Sequence, residues 1–137
     1  MANDTDREIV QQIDKEFASL IKSLKDLARS GLSPQNILRS AAAIEQMCGG
    51  LTANLWDDPF EWTLPETLSN ADRIVEYLSE VDLARERAFN SIDDAALTKY
   101  ISVPSGESRM LISVLLETLV RASEFRARAA TEGRPYS

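Results

Sequence analysis

The side chains able to do chemistry in this chain are few, and the first fact about them is an absence. There is no histidine, so the chain holds no imidazole to ligate zinc or to act as a base near neutral pH. Histidine-dependent triads and histidine-ligated metal centres are excluded within it. One cysteine, Cys48, excludes an internal disulfide and a Cys-x-x-Cys site. A reactive thiol needs a basic neighbour to lower its pKa, and none stands within a helical turn of Cys48. Cys48 therefore reads as a small packed hydrophobe. Met47 offers a soft thioether to copper, but one thioether is not a site, and packing or interface contact is the plainer reading.

Carboxylates come next, since di-metal bundles are built from inward glutamates. Those sites also use Glu-x-x-His pairs, which this chain cannot complete. Glu45 is the only acid between Pro34 and Trp56. It follows the apolar seam residue Ile44, so it can stand at the edge of a pocket with Arg121 across from it, or serve as a plain structural link. Asp57, Asp58 and Glu61 offer oxygens to a cation, but their spacing fits no calcium loop, and a solvated acidic loop is the default. Trp56, Phe60 and Trp62 flank a proline-bounded loop. They are expected to plug the open end of a helical core, or else to line a small apolar ligand site or touch a second subunit. No catalytic constellation emerges and no cofactor is implied.

These residues must be positioned by helices. A chain of 137 residues that is 44% hydrophobic can fold as a single domain over residues 1–137, with 132–137 as a flexible tail. Ile9, Ile13, Phe17, Leu20, Leu24 and Leu27 recur at spacings of three and four, the apolar stripe of a helix from Thr5 to Arg29. Thr5-Asp6-Arg7-Glu8 has the form of a capping box at its start, and Gly31 ends it. Ser33-Pro34 opens a second helix, whose seam is Ile37, Ala41, Ile44, Cys48, Leu51 and Leu55. Its only charges before Trp56 are Arg39 and Glu45. That is few for a helix with a wet side. Ala42, Ala43, Gln46, Gly49, Gly50 and Ala53 are small or uncharged enough for a second backbone to approach, so they are the candidate interface; a bend at Gly49-Gly50 is the alternative.

Pro59 and Pro65 bound a crossover loop. Ser69-Asn70-Ala71-Asp72 caps a third helix that buries Ile74, Leu78, Val81, Ala88 and Ile92. Asp93 to Gly106 reads as irregular, with a turn at Pro104-Ser105-Gly106 and no β-hairpin signal. A fourth helix is expected from Glu107 to Thr131, stopped by Gly133-Arg134-Pro135. Eight of the eleven residues from Met110 to Val120 are apolar. This run is too short to span a bilayer, so it reads as the most buried helix. The fold class is all-α: a four-helix bundle with a long crossover between the second and third helices.

Charge narrows the partners. The net charge is −7, and from Asp57 to Glu107 twelve acidic residues face four basic ones. No basic stripe follows a phosphate backbone, so no nucleic-acid partner is expected, and no membrane partner either. The acidic N-terminus lacks a signal-peptide pattern, which together with the lone cysteine points to the cytoplasm.

In the order of its features the chain resembles the DinB-like bundles, the damage-inducible and YfiT-type group of metal-dependent proteins. The resemblance covers roughly Phe17 to Ala130. It rests on four helices with an extended link after the second, on Pro59-Phe60-Glu61-Trp62 with Pro65-Glu66, and on Pro104-Ser105-Gly106 leading into an apolar final helix. It implies a metal held by one histidine of the second helix and two, four residues apart, of the last. In this sequence the last-helix positions fall on Arg121 and Phe125, and the second-helix position on Met47, or on Cys48 one residue along. An arginine has no free lone pair and a phenylalanine no ligand atom. The resemblance thus implies a bundle whose metal triad is lost.

Two functions of different class follow. One is a non-catalytic bundle acting by association, most simply as a homodimer through the second helix and the fourth, or else as a partner-binding subunit of a larger complex. The other is a small-molecule binding protein or thiol-dependent transferase, the family's nearest chemical precedent. Its pocket would keep Met47, Trp56, Thr118, Arg121 and Phe125, with Arg121 holding an anionic group, or apolar walls holding an apolar one. Against the second stands the spacing of Glu117 to Arg121 and of Glu124 to Arg128. Both are i,i+4 pairs in the favourable orientation, which makes Arg121 a plain surface ion pair.

Overall fold

The computed structural model of the chain describes residues 4–31, 33–53 and 70–132. Leu55, Trp56, the crossover loop with Asp57, Asp58, Phe60, Glu61 and Trp62, and the stop after Glu132 lie outside the described residues. Four helices carry the fold: α1 (Asp4–Arg29), α2 (Pro34–Ala53), α3 (Ala71–Ser91) and α4 (Leu111–Glu132). Both α1 and α2 pack against α3 and against α4, while α1 and α2 touch each other less. No helix among the described residues is long and apolar enough to cross a membrane.

The helix ends follow from local chemistry. Asp4 and Thr5 already lie within α1, so Thr5 sits in the first turn and not before it as a cap. At the other end Gly31 takes φ +74°, with its amide on the Ala28 carbonyl, a left-handed terminator that glycine adopts without strain. The Ser33 carbonyl accepts the Ile37 amide to start α2, and the Ser33 hydroxyl accepts from the Asn36 side chain at 3.0 Å. The Asn70 side chain accepts from the Asp72 and Arg73 amides and caps α3.

The connection between α3 and α4 departs from expectation. A 3-10 turn at Asp94–Ala96 leads into an antiparallel hairpin of β1 (Tyr100–Ser102) and β2 (Ser108–Met110). Val103 to Gly106 forms its turn, with Pro104 second and Gly106 fourth at φ +86°, the positions each residue favours. The strands consume the residues from Glu107 on, so α4 begins at Leu111. Its first amides have no side-chain cap. Leu111 and Ile112 donate instead to the Lys99 and Leu97 carbonyls, each at 2.9 Å, so the hairpin base satisfies helix donors that are otherwise unpaired.

The core is continuous across all four helices. Phe17, Ile21 and Leu24 of α1 meet Ile37, Leu38, Ile44 and Met47 of α2, Leu78 and Val81 of α3, and Leu115 of α4. Each such side chain contributes roughly 1.5–3 kcal/mol relative to full exposure. The most buried helix is α2, not α4. Beyond its expected seam it also buries Leu38, Ser40, Ala42 and Ala43, because α3 and α4 cover it on two sides. Ser40 leaves room for α4, and its hydroxyl donates to the Ala122 carbonyl at 2.7 Å. In α4, by contrast, Leu116 and Val120 face outward, 44% and 58% exposed.

One charged group is buried with the core. Arg85 of α3, 8% exposed, pairs with Asp14 of α1, with Asp82 at 2.9 Å and with Glu86 at 3.7 Å. Burial works against its charge, but the hydrogen bonds to Asp82 and Asp14 and then their negative charges outweigh it, raising its pKa above the ordinary value. Above it in the same interface Phe17 and Phe89 pack with ring centroids 5.8 Å apart. Arg85→Ala is expected to lower the unfolding free energy in urea by about 2–4 kcal/mol, and Arg85→Met to recover most of that loss by refilling the space without a charge. A change below about 0.5 kcal/mol for Arg85→Ala would place the pair on the surface in energetic terms.

Candidate functional site

Helix geometry alone decides which of the expected pocket residues meet. Met47 is 1% exposed and packed in the core. Thr118 and Phe125 are half-buried, and Arg121 is exposed on the far side of α4. None of the three grooves described below is lined by Met47, Thr118 or Phe125. Trp56 lies outside the described residues. Among those residues no group of three His, Cys, Asp or Glu side chains could hold a metal ion.

The ion pairs on α4 also differ from the expected ones. Glu117 is taken by Arg109 of the hairpin, eight residues back, because β2 ends where the helix begins and its side chains fall beside the second turn. Arg128 lies over the Phe125 ring at 5.5 Å, a cation–π contact. Arg121 and Glu124 are left with no ion pair to a described residue. They flank Leu116 and Val120, and with Glu117 these residues line a shallow groove of about 300 Å³.

The expected interface residues of α2 are largely enclosed by the chain itself. Ala42, Ala43 and Gly50 are buried and Gln46 and Gly49 half-buried, while nothing is described of the Ala53 side chain. The small residues do admit a close neighbour, and α3 and α4 are the neighbours found.

A mainly apolar groove with a charged side chain on each wall, which the sequence signalled only through Glu45, opens between α2 and α3. Glu45, Cys48, Gly49 and Thr52 form one wall, and Ala84 and Arg87 the other, around a volume of about 240 Å³. The Glu45 partner is Tyr77 and not Arg121: the buried phenol donates to Glu45 Oε2. Tyr77 and Arg85 are the side chains that sequence reasoning missed; the 3.6-residue period of α3 places both on its inward side, but the partners that hold them, Glu45 and Asp14, lie in other helices. Thr52 donates to the Cys48 carbonyl at 2.8 Å. A more polar groove, of about 340 Å³ between α1 and α4, is lined by Glu16, Ser19, Ser23, Ser123 and Arg126 among others.

Cys48 sits at the floor of the α2–α3 groove with almost no exposed surface. Burial pushes its thiol from an ordinary 9.0 up to about 12; the positive charge of Arg85 lowers it, and Glu45 and Asp14 raise it further. The raised value keeps the proton on the sulfur near neutral pH, where the thiol is a poor nucleophile. No protein-family model matches this chain, and neither a curated protein nor a solved structure matches it significantly.

The thiol generates a prediction with a definite sign. Between pH 9.0 and about 12 the unfolded cysteine has lost its proton while the folded one keeps it. Stability from this group is complete below pH 9.0 and is lost above it, by up to about 1.4 kcal/mol per pH unit. The stability of the parent chain relative to Cys48→Ala, measured in urea from pH 8 to 11, should fall across that window. A flat difference would mean an accessible thiol.

Proposed function

We propose that this chain is a metal-free, non-catalytic four-helix bundle of the DinB-like kind that acts in the cytoplasm by association, as a homodimer. In this reading the link between α2 and α3 is the family's long crossover. The observation that carries the association is the outward face of α4. Leu116 and Val120 stand exposed one turn apart, on the side away from the core, which is where a free-standing helix would place charges. The charge-poor α2, whose apolar side chains are spent inside the chain, contributes less to the reading than α4 does.

A second copy is the occupant favoured by charge. Arg121 and Glu124 border the stripe with opposite signs and no ion pair to a described residue. A two-fold axis would set each Arg121 beside the partner's Glu124 and repeat the pair symmetrically. Burial of Leu116 and Val120 would supply the affinity, and the two reciprocal pairs the orientation.

Light scattering should give a mass near twice the 15.2 kDa of one chain, and L116E/V120E should halve it. Arg121→Glu should weaken the dimer, and R121E/E124R should restore it. A monomeric mass for the parent chain at every concentration would end the homodimer reading.

A further inference from the structure

The groove between α2 and α3 carries a different function. We infer that it is a binding site for a small zwitterion, an α-amino acid with a short apolar side chain, held between Glu45 and Arg87. Both charges come from the protein and have opposite sign, one on each wall of the same cavity. The carboxylate is pre-positioned. The Tyr77 phenol, itself buried, donates to Glu45 Oε2, which fixes the side chain and leaves the other oxygen for a donor. A ligand ammonium supplies such a donor, and the charge-assisted bond is stronger than a neutral one.

Across the cavity Arg87 is exposed and makes no ion pair with a described residue. This contrasts with its near neighbour Arg85, whose guanidinium is absorbed by Asp14, Asp82 and Glu86. The planar fork of Arg87 matches a ligand carboxylate. The rest of the lining is Cys48, Gly49, Thr52 and Ala84, all small, with the Thr52 hydroxyl turned to the Cys48 carbonyl and the thiol protonated and therefore uncharged. A volume of about 240 Å³ lies below the roughly 300–1,000 Å³ of sites for drug-sized ligands. A compact metabolite fits those dimensions. The site shares no residue with the outward face of α4, so it stands independently of the dimer.

The test is a nitrogen-15 amide titration of the full chain with L-alanine and L-valine, against propylamine and propionate as single-charge controls. The amino acids should move the Gly49 and Thr52 amides saturably, and each control should bind at least about tenfold more weakly, the loss expected for one charged hydrogen bond. Glu45→Gln keeps an acceptor for Tyr77, and Arg87→Gln changes an exposed side chain, so both variants should fold. Each should reduce amino-acid affinity by about tenfold or more with an unchanged circular dichroism spectrum. Ala84→Leu, which fills the cavity without touching either charge, should abolish binding. Controls that bind as tightly as the amino acids would overturn the proposal, as would unchanged affinity in both charge variants. No saturable shift at amino-acid concentrations of about 10 mM would do the same.

Discussion

α2 is held between α3 and α4, and most of the structure follows from that enclosure. A helix covered on two sides has little surface to give to charged side chains, since burying an unpaired charge costs several kcal/mol or more. Its sequence accordingly keeps a single acid and a single base between Pro34 and Trp56. Arg39 is exposed, and Glu45 is half-buried with its carboxylate on Tyr77. Ser40 and the run Ala41 to Ala43 let α4 come close, with the Ser40 hydroxyl satisfied by a backbone carbonyl rather than by water. Small residues, which alone suggest an outward interface, here serve contact within the chain.

The same enclosure sends the ionic chemistry to α3. Arg85 is nearly as buried as the aliphatic core, and it holds its charge because Asp14 reaches it from α1 while Asp82 reaches it from one turn away. Such a cluster adds less to stability than its geometry suggests, because desolvation offsets much of the attraction. Its stronger effect is on alternatives. Sliding α1 along α3 by one turn would take Asp14 away from the guanidinium and leave it only its α3 partners Asp82 and Glu86, a cost for a buried charge that disfavours other registers of the two helices.

Elements whose cause is local were legible in the sequence. The stripe Ile13, Phe17, Leu20, Leu24 is buried as its spacing demands, Asn70 caps α3, and Gly31 takes a positive φ where α1 ends. Features that depend on residues distant in sequence were not. Arg85 sits between Asp82 and Glu86 and has the local look of a solvated helix face; the deciding partner is Asp14, 71 residues away. The hairpin escaped for another reason. Its strands are three residues each, too short for an alternating pattern, although the Pro104-Ser105-Gly106 turn between them was readable. That same hairpin delivers Arg109 to Glu117 and frees Arg121 from its expected i,i+4 partner. At the candidate site Glu45 was visible as a lone acid beside an apolar seam. Its position opposite Arg87 was not, because periodicity along one helix says nothing about which helix faces it.

Satisfaction of the interior determines where interactions remain available. Among the described residues no buried side-chain nitrogen or oxygen lacks a hydrogen-bond partner, and Cys48 keeps its proton. The described interior is thus internally satisfied, which is the state in which buried polar groups cost least. Charged groups without an ion pair to a described residue stand nearer the periphery: Glu45, held by Tyr77, and Arg87 across one groove, Arg121 and Glu124 beside an apolar stripe. In each place charges of opposite sign line one groove. Recognition, of a small zwitterion or of a second chain, asks no more of a helical scaffold than such placement.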